Sequence, residues 1–279
     1  MGKVFLNDGI VDAASAKVPA GDSSFLYGMG LFETMRAVAG SVFALDAHLQ
    51  RLFASAEALS INIGWDKGYI TEAIGKVLKA NNLSDARMRL TVSNGAMNAE
   101  GQDQPTLLIT ATELTGYPAE YYDKGVAVIL SDFRQGADPT AGHKTTSSFG
   151  RLIALGIAHK KGAAEALWFT AENVLAEGCI SNVFIVKDGV VFTPQLKTPV
   201  LGGIARKTVI EIAEAEGVRL EEKDLAIKDL LGADEVFLTN VIMMALPVVA
   251  VEAHTVGDGK VGAITKKLIE CFKKKVSAS

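Results

Sequence analysis

Three short strings constrain this chain more than anything else in it: His143-Lys144-Thr145-Thr146, Glu177-Gly178-Cys179-Ile180-Ser181-Asn182 and Leu201-Gly202-Gly203-Ile204-Ala205-Arg206. In that order they offer an amine on a loop, a carboxylate beside a glycine, and a glycine pair leading into a helix. The first N–H groups of a helix have no partner within it, and the helix dipole is positive at that end, so such a start suits a doubly charged anion. The amine is useful as a nucleophile only where burial or cationic neighbours keep part of it neutral.

Around these strings the chain reads as an α+β plan. Val42–Leu45 is expected to be a strand, followed by a helix capped by Asp46 and running to about Leu59, with Leu49, Leu52, Phe53, Ala56 and Leu59 at helical spacing. A second helix is expected over Trp65–Ala80. Arg87–Val92 alternates as a half-buried strand ending at Ser93-Asn94-Gly95, and Thr106–Thr110 is a further strand. Gly116-Tyr117-Pro118 marks a linker, which divides the chain into an N-terminal domain (1–113), a linker (114–125) and a C-terminal domain (126–279). In the latter the pattern predicts strands at Val126–Leu130, Glu165–Phe169, Val183–Val186, Val190–Phe192, Glu235–Thr239 and Val248–Val251. Helices are expected at Phe149–Lys161, Ile204–Glu216 and Val261–Lys275, and Lys187-Asp188-Gly189 is a hairpin turn.

A net charge of -4 and the lack of a basic stripe argue against a nucleic-acid partner. The two cysteines form neither a disulfide framework nor a metal-ligand spacing, and Cys179 reads as a small packed residue. The longest apolar run, Val241–Val251, is short for a membrane span and contains Pro247, so a cytoplasmic protein without a membrane partner is expected.

The order of the three strings and their flanks resembles the class IV aminotransferases, the fold-type IV enzymes of pyridoxal 5'-phosphate (PLP). Tyr27-Gly28-Met29-Gly30-Leu31-Phe32-Glu33-Thr34-Met35-Arg36 resembles the N-terminal signature of that family, and the likeness runs from about residue 3 to residue 270. It implies an α/β (α+β) chain with a small N-terminal α+β domain, a larger C-terminal domain with a barrel-like sheet, and a homodimer. It also implies roles for single residues. Lys144 forms the imine with PLP and moves the α-proton; Glu177 meets the pyridine nitrogen, with Ser181 and Asn182 as the polar pair of the next strand. Gly203, Ile204 and Ala205 bind phosphate through the backbone, joined by Thr239, Asn240 and Arg51. Tyr27 and Thr34 border the substrate pocket; for Glu33 and Arg36 the plain reading is a scaffold pair with one another. Taken singly, these residues have plain readings: a solvated loop lysine, a turn glutamate, a glycine turn, a strand-end turn and a surface arginine.

Departures from the family's members bear on the substrate. Branched-chain aminotransferases have a tyrosine five residues after the lysine, where this chain has Phe149, and Gly-Thr-Ala where it has Thr239-Asn240-Val241. D-amino-acid aminotransferases trap the substrate carboxylate with an arginine and a histidine that Asn94–Glu100 lacks. Aminodeoxychorismate lyases resemble the chain at Gly30–Thr34 and from Thr239-Asn240 to Pro247-Val248. The expected function is amino-group exchange between a small amino acid and a 2-oxo acid, with PLP-dependent release of pyruvate from aminodeoxychorismate as the alternative. Arg87, Arg89 or Arg134 is left to meet the substrate carboxylate. Two readings from other classes are a PLP carrier without turnover and a binding protein in which the strings are accidental; a visible band abolished by borohydride separates them from an enzyme.

Overall fold

Residues 86–92 alternate buried side chains with exposed or half-buried ones, and a strand so patterned needs a core on one face only. In the computed structural model, which describes residues 2–98, 101–102 and 104–278, this strand lies inside an antiparallel sheet. Ala99 and Glu100, the end of the segment lacking the arginine–histidine trap, lie outside the described residues. The chain forms two compact units. One comprises the chain up to Thr115 with His143–Ser148, the other Gly116–Gly142 with Phe149–Ala278.

In the first unit the elements are β1 (Lys3–Leu6), β2 (Gly9–Asp12), α1 (Ser23–Tyr27), β3 (Gly30–Val38), β4 (Ser41–Val42), α2 (Leu45–Ala58), α3 (Lys67–Ala80) and β5 (Ala86–Ser93). The short pair β6 (Met97–Asn98) and β7 (Gly101–Gln102) and then β8 (Leu107–Glu113) follow. Among the described residues the main sheet has the order β2-β1-β8-β5-β3-β4. One face packs Met35, Met88, Leu90 and Ile109 into a core with Leu49, Leu52 and Ala56 of α2 and Ile70, Ile74 and Val77 of α3. The register places Phe32, Thr34, Arg87, Arg89 and Thr91 together on the other face.

Local chemistry moves the expected boundaries. The strand expected at Val42–Leu45 ends at Val42, and α2 starts after Ala44, which sits at φ 52 and offers no side-chain cap. Asp46 therefore lies in the first turn, where its charge faces the helix dipole, rather than at the cap. Asp66 caps α3 by accepting from Tyr69 N at 2.7 Å, so that helix begins past Trp65.

The second unit holds α4 (Ala119–Lys124), β9 (Val126–Gln135), α5 (Phe149–Lys160), β10 (Glu165–Thr170), β11 (Leu175–Gly178), β12 (Asn182–Lys187) and β13 (Val190–Thr193). It continues with α6 (Ile204–Ala215), β14 (Leu220–Glu222), α7 (Ile227–Leu231), β15 (Glu235–Asn240), β16 (Met244–Val251), β17 (His254–Thr255) and α8 (Ala263–Ser277). Among the described residues its curled sheet runs β11-β10-β9-β16-β15-β12-β13-β14, with β17 on β16. Val128, Leu167, Val183, Ile185, Leu238 and Leu246 belong to its core. Part of the segment expected as linker is helical, α4, and groups with this unit. Strand β9 continues five residues beyond the expected Leu130. Glu177 lies within a strand, β11, not on a turn before one; a four-residue strand containing Glu and Gly carries little β-propensity to reveal it.

Candidate active site

In the second unit, β11 and β12 are joined by a tight turn at Cys179–Ser181, which sets Glu177 and Asn182 near one another. Asn182 Nδ2 donates to Glu177 Oε2 at 3.3 Å and to Leu201 O at 2.9 Å, and Leu201 N donates to the same Oε2 at 3.0 Å. The carboxylate string is thereby tied to the glycine-rich string. Gly203 packs so closely on Asn182 that a Cβ there would overlap Asn182 Oδ1, although its φ of -66 would admit any residue. Gly203 is also the N-cap of α6 and supplies no side-chain bond, so the first N–H groups of Ile204 and Ala205 start the helix uncapped by any side chain.

Thr239 pairs with Asn182 across β15 and β12, which turns both side chains to one face of the sheet. Its Oγ1 is buried without a hydrogen-bond partner, an arrangement that costs about 1–3 kcal/mol unless a ligand completes it. The Asn240 side chain is engaged locally: Oδ1 accepts from Ile242 N and Met243 N, both at 2.9 Å, and Nδ2 donates to Ile180 O at 3.2 Å. That network holds the turn leading to Met244, whose φ is 60. The pair Ser181-Asn182 is divided. Whereas Asn182 meets Glu177, Ser181 Oγ donates to the buried Glu165 at 3.0 Å. An uncapped helix start, a backbone too close for a Cβ and an orphaned hydroxyl together fit a phosphate ester.

In the first unit, His143–Ser148 lies along the edge of β3. Phe32 N donates to Lys144 O and Thr146 N to Gly30 O, both at 2.9 Å, while Thr146 Oγ1 donates to Gly28 O at 2.7 Å. Lys144 is half-buried, with Nζ 4.5 Å from the Phe32 ring centroid. The Arg89 guanidinium packs over the same ring at 3.8 Å, and burial, followed by the neighbouring Arg87 charge, pushes its pKa down. Arg87, two residues earlier, is exposed. Thr34 is the cross-strand partner of Arg89. Tyr27 ends α1 with 65% of its surface exposed. In the second unit, Arg134 Nη1 donates to Ser131 O at 3.3 Å, and Phe149 opens α5 with 78% of its surface exposed.

Arg51 sits on α2 with Nε donating to Glu33 Oε1 at 2.8 Å and Nη2 to Oε2 at 2.5 Å, while His48 Nδ1 lies 2.7 Å from that Oε2. The expected pairing of Glu33 with Arg36 is overturned. Three residues apart on a strand, they point to opposite faces, and Glu33 turns to α2. Burial alone would raise the Glu33 pKa, but Arg51 and the His48 hydrogen bond outweigh it and hold it at about 2. Burial, only partly offset by Glu33, pushes His48 down.

Two neighbours of Glu177 carried no sequence argument. Arg151 Nη2 donates to Glu177 Oε1 at 2.6 Å. A cation in the first turn of α5 opposes the helix dipole, and that mismatch was a usable signal. Glu165 accepts from Cys179 N at 2.9 Å and Ile180 N at 3.4 Å, beneath the turn that follows Glu177. An acid opening an otherwise apolar strand was its signal. Among the described residues no group of three His, Cys, Asp or Glu side chains could hold a metal. Among the described residues no helix is long and apolar enough to cross a membrane. An open depression of about 700 Å³ near Phe53 and Trp65 is lined by none of the candidate cofactor or substrate residues.

Residues 30–251 match the family described as amino-transferase class IV. Over 97% of its length the chain is 35% identical to a Methanocaldococcus jannaschii protein named "Putative branched-chain-amino-acid aminotransferase", covering 95% of that relative. It is 29% identical to the D-alanine aminotransferase of Listeria monocytogenes, over 99% of this chain and 96% of that one. Among solved structures, the branched-chain amino acid aminotransferase of Escherichia coli superposes with a TM-score of 0.93 at 27% identity, covering 99% of this chain and 95% of that one. A second branched-chain amino acid aminotransferase, solved with pyridoxamine 5'-phosphate, also gives 0.93, at 26% identity and covering 99% and 94%. The 4-amino-4-deoxychorismate lyase of Pseudomonas aeruginosa gives 0.85 at 27% identity, covering 98% and 99%. The chain belongs to amino-transferase class IV and has the fold-type IV architecture of enzymes that transfer amino groups.

Proposed function

We propose that the chain binds PLP and exchanges an amino group between a small amino acid and a 2-oxo acid, with Lys144 as the imine-forming amine. The observation that carries this reading is the α6 start: Gly203 without room for a Cβ, Ile204 and Ala205 behind it, and the orphaned Thr239 hydroxyl on the face shared with Asn182. These groups suit the phosphate; the family resemblance adds Arg51, whose guanidinium fork Glu33 orients, as a proposed further ligand. When bound, PLP supplies the electron sink for the pair released as the substrate Cα–H bond breaks. Glu177 holds the proton on the ring nitrogen by accepting its hydrogen bond, and Asn182 and Leu201 N fix the plane of that carboxylate. Once the substrate's amino group has taken its place on the cofactor, Lys144 Nζ would be a free amine able to take the α-proton and return it. Phe149, lacking a hydroxyl, cannot make the hydrogen bond that a tyrosine would make there.

Of the three arginines left for the substrate carboxylate, Arg89 is favoured, because it and Lys144 pack on one ring, Phe32. Neither Arg87 nor Arg134 packs on that ring. The relatives named for branched-chain and D-alanine substrates leave either hand of substrate to be assayed. A homodimer remains part of the proposal, supported by resemblance and by exposed Phe25, Leu26 and Tyr27; so does a cytoplasmic location, which the two cysteines without a disulfide framework fit. The test is conversion of bound cofactor to its amine form by L- and D-amino acids, read spectrally, with aminodeoxychorismate in parallel. Conversion by an amino acid that 2-oxo acids reverse is expected. Pyruvate release from aminodeoxychorismate with no reversible conversion would replace the transaminase reading by the lyase.

A further inference from the structure

Arg151 has no part in the reading above, yet its guanidinium grips the carboxylate on which that reading depends. Nη2 donates to Glu177 Oε1 at 2.6 Å and to Gln135 Oε1 at 2.7 Å, and Nη1 donates to Gly178 O at 2.9 Å. The guanidinium carbon lies 5.3 Å from the Trp168 ring centroid, which fixes the plane of the group. So many partners settle one rotamer of a long side chain, against the unfavourable dipole at the start of α5.

Glu177 is buried, so the few positions at which it can accept a hydrogen bond decide what it can hold. A carboxylate offers about four lone-pair positions, two on each oxygen. Leu201 N and Asn182 Nδ2 use both positions on Oε2, and Arg151 uses one on Oε1. The position left over lies on the oxygen that Arg151 holds. Glu165, the other buried acid at this turn, faces away toward Cys179–Ser181 and does not compete for it.

We propose that Arg151 is the positioning residue for Glu177: by fixing Oε1 it directs the last lone pair toward the ring nitrogen of the cofactor and shares that oxygen's charge. The proposal rests on Glu177 being the partner of the nitrogen. A guanidinium that merely tied α5 to β11 would contribute to stability and nothing else.

A double-mutant cycle on PLP dissociation from the full chain separates the two roles. Arg151→Gln is expected to weaken PLP binding about tenfold, and to change it less than about twofold when Glu177→Gln is already present. Arg151→Lys, which keeps the charge but loses the fork, falls between wild type and Arg151→Gln. Its cycle with Glu177→Gln reads the same coupling should the glutamine variant not fold. Equal weakening in both backgrounds, or a fall in thermal stability with the PLP dissociation constant unchanged, overturns the proposal. A wild-type chain that takes up no PLP overturns the cofactor reading itself and is distinguished by its lack of a visible band.

Discussion

Replacing Glu165 by glutamine should make the protein's stability less dependent on pH, in a direction the structure fixes. Glu165 is 1% exposed and accepts from Cys179 N, Ile180 N and Ser181 Oγ. Burial drives its pKa from 4.5 up to about 7, against the pull of those hydrogen bonds. A carboxyl that ionises less readily in the folded state gives its full stabilisation below the unfolded value, near 4.5, and loses it as pH rises through about 7. At 1.36 kcal/mol per unit, that interval corresponds to about 3 kcal/mol. The Cys179 thiol does not confuse the reading, since burial and then Glu165 push it up to about 12.

Glutamine has the same shape and does not ionise. Its carbonyl can accept from Cys179 N–H, and its amide can donate to Ser181 Oγ. Urea unfolding of both proteins at several pH values from 5 to 8 measures the difference. The stability of Glu165→Gln relative to wild type should climb by about 2.5 kcal/mol across that range, the remainder of the interval lying below pH 5. Parallel profiles would show that Glu165 is no harder to ionise in the folded protein, and the inference from burial would be wrong.

Two other substitutions separate binding from folding. Thr239→Val removes the orphaned hydroxyl at nearly constant shape. The cofactor-free protein should be as stable or about 1 kcal/mol more stable, while the PLP dissociation constant rises about fivefold to tenfold. Equal PLP affinity would remove Thr239 from the phosphate site. Glu33→Gln leaves Arg51 without its carboxylate and should cost about 3–5 kcal/mol at pH 7 in chemical unfolding. Because the Glu33 pKa is lowered to about 2, the wild type should lose this stabilisation as pH falls from 4.5 toward 2, and the variant should lack that acid limb.

Much of this was legible along the chain because it is local. Helices α2, α3 and α6 announce themselves by apolar spacing, β5 by alternation, and the α6 start by its glycine pair. Partners brought together across elements were not legible. Sequence proximity pairs Glu33 with Arg36, three residues away, but strand parity sends it to His48 and Arg51 on α2. Arg151 gains its meaning from Glu177, on a strand too short to show in the pattern. Ser181 and Asn182 are adjacent in sequence yet serve different carboxylates, which only the turn between β11 and β12 decides. The resemblance supplied candidate residues; the hydrogen bonds show how each is held.

The central claim is that Lys144 carries the cofactor. Borohydride reduction of the PLP-loaded protein, followed by peptide mass spectrometry, tests it most directly. The expected result is loss of the visible band with a single pyridoxyl group on Lys144, and no adduct in Lys144→Ala. A reduced adduct on another lysine of the wild type, or no adduct at all, would contradict it.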